Sequence, residues 1–287
     1  MSGIEFIHVF LNSIVVGVVY ILIASGLALV FSIMRIVNFA HGQFYMLGAF
    51  GVYYLYQELG MNYIAALIIT TLAVAILGLL IERFFFRPFK APHLHNLGMI
   101  VSIGLILLIE GIGFSVFKPV ERFVAPPLPG HLNIMAVRLP IQNAMAIIVG
   151  MILISGLFVF TKWGKWGQAM RAVADDEVAA ALQGININFT RMLAFSIGCA
   201  LAAIAGGVMA GGIVVHPGIG AAAILKAFIV VVLGGLGSIA GTVLGGLLLG
   251  FIESFGIFFL GYWINFIVFC LLILILLVRP KGLLGHD

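Results

Sequence analysis

Between Phe6 and Ile33 the chain runs for 28 residues without a single Asp, Glu, Lys or Arg. As a helix, that run is about 42 Å long, more than the roughly 30 Å hydrocarbon core of a bilayer. It is too long to be the 7–15-residue core of a secretory leader, and no small-residue cleavage site closes it. The pattern predicts a first membrane span. Similar runs follow near 39–57, 62–82, 97–117, 141–161, 191–214, 224–237, 239–258 and 262–279. The seventh is short and the eighth is glycine-rich, so eight and nine crossings both fit. Only 8% of the residues are charged, against about 25% in soluble domains, so too few charges exist to cover a water-soluble fold. The runs are apolar on every side, which excludes the alternating pattern of a membrane β-barrel. The expectation is an all-α polytopic helical bundle, one transmembrane domain over 1–287.

Basic residues orient the bundle. With the N-terminus outside, one set of loops holds Arg35, Arg83, Arg87, Lys90, Lys162, Lys165, Arg171, Arg191, Arg279 and Lys281, and the other only Lys118, Arg122 and Arg138. That bias places the first set and the C-terminus in the cytoplasm. The net charge of +4 is thus topological, without the basic clustering of a nucleic-acid surface. Cys199 and Cys270 both fall inside spans and read as small buried hydrophobes, not as a disulfide framework.

The stretch from 162 to 190 reads as soluble structure. Gln168 to Val173 suits a short helix. Asp175 suits the N-cap of a second, with Asp176 and Glu177 at its positive end. Ala179 to Leu182 continue it, and Gly184 suits a left-handed C-cap. Helix connectors in bundles usually take 2–8 residues, so a structured loop of this length suggests docking; a solvated connector is the plainer alternative. The glycine-rich stretch 234–250 lacks the GK[ST] of a phosphate loop. Gly237, Gly241 and Gly245 instead form a small-xxx-small packing stripe, repeated by Gly246 and Gly250. The Gly234–Gly235 and Gly237–Ser238 pairs are candidate helix breaks.

Polar residues inside spans default to a functional reading. Glu110 and Glu253 lie toward outer ends, and Lys226 reads as a snorkelling side chain, with a Glu110–Lys226 pair as an alternative. In 33–50, Asn38 suits the N-cap of the next helix, opened by Phe39. Gly42 and Gly48 leave room for a close neighbour. Asn38, His41 and Gln43 either line a path or fasten two helices. His93 and His95 lack a third ligand, so no metal is expected. The 125–133 stretch reads as an external turn cluster. No nucleophile–base constellation or G-x-S-x-G motif suggests an enzyme.

Four segments together, GLALVFSIMRIVNFAHGQFYMLGAF, GQAMRAVADDEVAAALQGIN, VVVLGGLGSIAGTVLGGLLLG and RPKGLLG, resemble the permease subunits of branched-chain amino-acid ABC importers, the LivH type. They span nearly the whole chain. The resemblance implies a bacterial inner-membrane subunit that moves branched-chain or related neutral amino acids. It further implies a subunit that binds no cofactor and has no ATPase site of its own, with two partner ATPases using the ATP. It implies that Gly167 to Gly184 is the ATPase-docking element, with Arg171, Asp175, Asp176 and Glu177 as polar contacts. It also implies a second related permease, giving a heterodimer with a homodimer as alternative, and an external binding protein. Urea and amides are alternative substrates within the family. An ion-coupled secondary transporter or channel, sensitive to Glu110, is the alternative outside it.

Overall fold

The computed structural model describes residues 3–89, 97–128, 130–134, 137–279 and 282–284. Lys90, His93, His95 and Lys281, on which part of the loop reading rests, lie outside them. The first helix, α1 (Gly3–Met34), is followed by α2 (His41–Val52), which continues as a π-helical stretch over Tyr53–Glu58. Next come α3 (Tyr63–Ile81), which continues through a π-helical turn at Glu82–Phe86, and α4 (Leu97–Phe117). Two short antiparallel strands, β1 (His131–Ile134) and β2 (Val137–Pro140), lead into α5 (Ile141–Trp163). The paired helices α6 (Lys165–Asp175) and α7 (Glu177–Leu182) precede α8 (Ile187–Met209). The chain closes with α9 (Ile219–Gly234), α10 (Ile239–Leu260) and α11 (Ile264–Val278). Among the described residues, six helices are long and apolar enough to cross a membrane, and α9 and α11 are shorter apolar helices. The protein is a multi-pass helical membrane bundle, and the hairpin β1–β2 is its departure from an all-α fold.

Burial separates centre from periphery. The most apolar window of α1 is 78% buried and that of α8 67%, whereas α3, α4 and α5 present most of theirs outward. Lipid tails are as apolar as leucine, so helices associate through close packing and not through a hydrophobic drive. Glycine supplies that packing. A Cβ on Gly26 would meet the Gly198 carbonyl at 2.6 Å, and one on Gly198 the Gly26 carbonyl at 2.8 Å, so α1 and α8 touch backbone to backbone. Gly48 faces the Ala203 carbonyl in the same way, as the sequence led one to expect.

The glycine-rich stretch is arranged differently from the expected stripe. Gly241 and Gly245 lie against α9, at Gly234 and Val230, while Gly246 and Gly250 lie against α1 at Gly17. Gly237 is not on the helix. It has φ +86° in the turn between α9 and α10, and Ser238 caps α10 by accepting from Gly241 N at 3.0 Å. The expected break in this stretch is present; the stripe has two faces and starts one turn later. Cys199 is buried, but Cys270 is exposed on α11.

The start of α2 also departs from expectation. The helix begins at His41, two residues beyond Phe39, because Asn38 Oδ1 accepts from Ala40 N (3.1 Å) and holds a turn that is not yet helical. His41 Nε2 stands 3.1 Å from the Ile23 carbonyl, three turns before the end of α1, about 16 Å along its axis. Residues 35–40 are therefore a non-helical strap that climbs beside α4. Ile36 sits against Gly98, and Ser102 donates to the Val37 carbonyl at 3.5 Å. The start of α9 meets the first turn of α2 just beyond it, since a Cβ on Gly42 would run into the Gly220 carbonyl. Irregular backbone inside a bundle is tolerated only when protein or a cavity surrounds it, and Asn38 and His41 are almost fully buried here.

We expect Gly48→Val to lower the unfolding stability of the detergent-purified protein by roughly 1–3 kcal/mol through overpacking. Gly104→Val, where nothing lies within 4 Å of the new Cβ, is expected to leave the thermal midpoint unchanged. Equal midpoints for the two would remove the backbone approach as the source of cohesion.

Candidate functional site

Three charged or phenolic groups from different helices meet inside the bundle. Lys226 Nζ on α9 donates to Glu253 Oε1 on α10 at 2.9 Å, and the side chains are only 19% and 13% exposed. Tyr20 on α1 donates to Glu253 Oε2 at 2.6 Å. Asn265, at the start of α11, accepts from Lys226 Nζ at 3.1 Å. A lone charge at a membrane helix centre costs about 2.5–3.5 kcal/mol; pairing and two further hydrogen bonds offset that here. The snorkelling reading of Lys226 is thereby corrected, and its partner is Glu253, not Glu110. Lys226 is roughly two turns into α9, and its amine turns inward to Glu253 because that carboxylate is the counter-charge within reach.

The pair borders a cavity of about 380 Å³. Its wall is aliphatic along α1 (Val16, Val19, Ile23) and α9 (Ile219, Ala222, Ala223). Tyr45 of α2 and the 210–218 turn, through Ile213, Val214 and His216, complete it. That turn is held by Val215, which pairs with Arg122 through two backbone bonds of 2.9 Å. Turned so that its oxygen faces them, the Gln142 amide accepts from Gly211 N and Gly212 N at 3.1 Å each. An aliphatic wall with a few convergent polar groups is the usual make-up of a small-molecule site.

The polar residues of 33–50 lie beside this cavity but do not line it. Asn38, His41 and Gln43 are 1%, 0% and 2% exposed. Gln43 Nε2 stands 3.4 Å from Glu110 Oε2, a long contact between α2 and α4. Tyr20, Tyr45, His216 and Asn265 were missed from sequence. Tyr20 alone carried a signal, as a phenol in the middle of an otherwise apolar span.

At the basic end, the α6–α7 pair is held firmly. Gly167, Met170 and Val173 form the buried face of α6, and Gly167 packs against the Phe160 carbonyl at the end of α5. Arg35 donates to the Ala174 carbonyl (3.0 Å) and Arg171 to the Lys162 carbonyl (3.1 Å). Glu177 pairs with Arg191 of α8 at 2.5 Å. The cap of α7 is Asp176 and not Asp175, because Asp176 Oδ1 accepts from Val178 N and Ala179 N at 2.8 and 3.0 Å. Asp175 instead ends α6 and lines a groove of about 330 Å³ with Arg171, Gly237 and Ser238. Gly184, with φ +82°, closes α7. The bonds Gly184 N to Ala181 O and Ile185 N to Ala180 O have the 5→2 and 6→1 pattern of a Schellman motif. Val178 and Leu182 project from α7, 70% and 83% exposed. Nothing in their sequence setting separated them from the surrounding helix formers.

Residues 9–277 match the family described as the permease component of the branched-chain amino acid transport system. The chain is 35% identical over 300 aligned positions to the high-affinity branched-chain amino acid transport system permease protein BraD of Pseudomonas aeruginosa, covering 99% of this chain and 97% of the relative. It is 35% identical over 307 positions to LivH, the corresponding permease protein of Escherichia coli (strain K12), covering 98% and 96%. A probable LivH of Methanocaldococcus jannaschii is 25% identical over 288 positions, covering 96% and 91%. Among solved structures, PsaBC from Streptococcus pneumoniae in complex with Fab superposes with a TM-score of 0.52 at 13% identity, over 94% of this chain and 91% of that one. That likeness concerns the fold alone.

We expect Lys226→Met, which leaves Glu253 without its counter-charge, to lower unfolding stability in mixed micelles by up to about 3 kcal/mol. Adding Glu253→Gln is expected to recover most of that loss. A double variant no more stable than Lys226→Met would show that the pair is not coupled.

Proposed function

The chain belongs to the family of branched-chain amino acid transport system permease components, and from that premise we propose that it carries branched-chain amino acids through an ATP-driven importer in the bacterial inner membrane. The observation that carries the ATP-driven part is the α6–α7 pair. It is fixed to the ends of α1, α5 and α8 while presenting Val178 and Leu182 to the outside. A rigid helix pair with two apolar side chains at i and i+4 suits docking into a groove on a partner. We assign that partner as a cytoplasmic ATPase, two copies serving this chain and a second related permease, with a binding protein delivering substrate outside. ATP is then used by the partners, with no ATPase site in this chain.

In this reading the N-terminus faces out and the chain crosses nine times, counting α2 with residues 53–58, α9 and α11 as crossings. Residues 35, 164–186 and 279 then share the cytoplasmic side, in line with the bias of basic residues. Of the expected docking residues, Arg171, Asp175, Asp176 and Glu177 are all exposed, and Arg171 and Asp175 are the ones not taken up by the α7 cap or the Arg191 pair. Asp176, Glu177, Gly167 and Gly184 serve to shape and hold the helix pair, and Val178 and Leu182 supply the anchors. The passage for substrate is the cavity beside Tyr20, Lys226 and Glu253. The burial of Asn38, His41 and Gln43 supports their role as fasteners of α2 to its neighbours. Glu110, partnered by Gln43, belongs with them.

Alternating access follows if ATP binding favours one of two arrangements of the bundle, since an effector shifts an equilibrium only through different affinity for its two states. An apolar interface anchor contributes about 2 kcal/mol or more, roughly a thirtyfold change in affinity. We expect Leu182→Glu to weaken ATPase co-purification by that factor and to lower ATP-driven leucine uptake, with the thermal midpoint unchanged. Asp176→Ala is expected to cost about 1 kcal/mol of cap stability and to weaken docking less. Leucine uptake in proteoliposomes that persists without ATP, driven by an ion gradient, would replace this reading with the ion-coupled one.

A further inference from the structure

We propose that the Lys226–Glu253 pair is the polar end of a subsite for an α-amino acid zwitterion, and that the aliphatic wall beside it takes the branched hydrocarbon side chain. This rests on the transport reading above and goes further, naming the groups that hold the substrate's two charges. The substrate carboxylate faces Lys226 Nζ and the substrate ammonium faces Glu253.

The hydrogen-bond inventory leaves room for both. An ammonium has three N–H donors, and Glu253 and Asn265 take two of those on Lys226. A carboxylate has about four acceptor sites, of which Lys226 and Tyr20 occupy one on each oxygen of Glu253. The site therefore accepts a carboxylate and an ammonium without giving up a bond already made. Tyr20 and Asn265 hold the two charges in place from α1 and α11, so the pair keeps its geometry while occupied.

Charge balance sets the selectivity. The pair is neutral overall, and a zwitterion is neutral overall, so its two poles can lie head to tail against the pair. A cation without a carboxylate, or an anion without an ammonium, would bring an uncompensated charge into a poorly solvated site, which is costly. The remaining space is mostly apolar: Val16, Val19, Ile23, Ile213, Ile219 and Ala223 surround it, with Tyr45 and His216 also on the wall. Its volume of about 380 Å³ is at the small end of the roughly 300–1,000 Å³ range of ligand sites, suited to a single amino acid.

The test uses the full-length chain purified with its partner permease and ATPase, in detergent and without binding protein. Tritiated leucine is the probe; leucine, leucinamide and 4-methylpentanoate are the competitors. Wild type is expected to prefer leucine over either analogue by at least about tenfold. Lys226→Met is expected to lose the preference for leucine over leucinamide, a ratio that a merely structural ion pair would not move. Ala222→Phe fills the cavity rim with the pair intact and is expected to lower leucine binding relative to glycine by about tenfold. Equal competition by leucine and leucinamide in wild type, or an unchanged ratio in Lys226→Met, would overturn the proposal. If Lys226→Met does not assemble, the wild-type competitor profile and Ala222→Phe decide it. ATP-driven leucine uptake by the same preparation in proteoliposomes, with the substrate-delivering binding protein added outside, separates the two readings. Uptake without the competitor pattern ends the subsite and leaves the transport function, whereas absent uptake ends the transport reading.

Discussion

The approach of Gly42 to Gly220 is the constraint on which much of this bundle depends. It brings the first turns of α2 and α9 together inside the protein, so that neither helix runs the full length of its neighbours. Chain that is not helical must then lie within the bundle on both sides, as residues 35–40 and 210–218. Every backbone polar group in those segments needs a partner or a cavity, because lipid supplies neither. Asn38 answers part of that need for the strap. Arg122 and Gln142 do so for the turn. The cavity beside Tyr20 follows, as the space left where α9 starts late and the turn bends in over it.

Two kinds of cohesion divide the molecule. Around α1 and α8 the helices are held by backbone contact at small residues, which gives dispersion energy at short range without burying polar groups. Between α1, α9, α10 and α11 the Lys226–Glu253 pair and its two hydrogen-bond partners add a directional link. A buried ion pair is a poor source of net stability, since desolvation can exceed the attraction. Its presence in a bundle otherwise held by packing therefore points to a role in recognition. That the pair borders the cavity, instead of sitting in the tight α1–α8 seam, agrees with this.

Much of the fold was legible in the sequence, because membrane spans are written as local composition. Apolar runs placed the helices to within a few residues, and the polarity change after Thr161 marked the α6–α7 pair. Boundaries were less legible where one polar side chain competes with its neighbour. Asp175 and Asp176 are equally good caps by type, and only the chain direction after α6 decides that Asp176 faces the free amides. Asn38 looked like a cap and is two residues early, since the strap had to climb before a helix could start. The Lys226–Glu253 pair joins residues on different helices, and no local spacing records which faces meet. Val178 and Leu182 were invisible for a similar reason: a two-turn helix buries or exposes an apolar residue according to what it leans on. The hairpin β1–β2 was not legible: the turn cluster expected at 125–133 reaches only part of β1, and strands of four residues each carry too short a pattern.

Arg35 joins these regions mechanically. It sits where α1 ends, with φ 52°, and it grips the Ala174 carbonyl near the end of α6. A push delivered to α6 thus arrives at a corner where a long, enclosed rod gives way to a six-residue tether. Rods pass on force with little deformation, whereas the strap is folded back at Asn38–Ala40 and seated against Gly98 and Ser102 of α4. A displacement of α6 would therefore reach the root of α2 through one backbone corner and the contacts that seat the strap on α4.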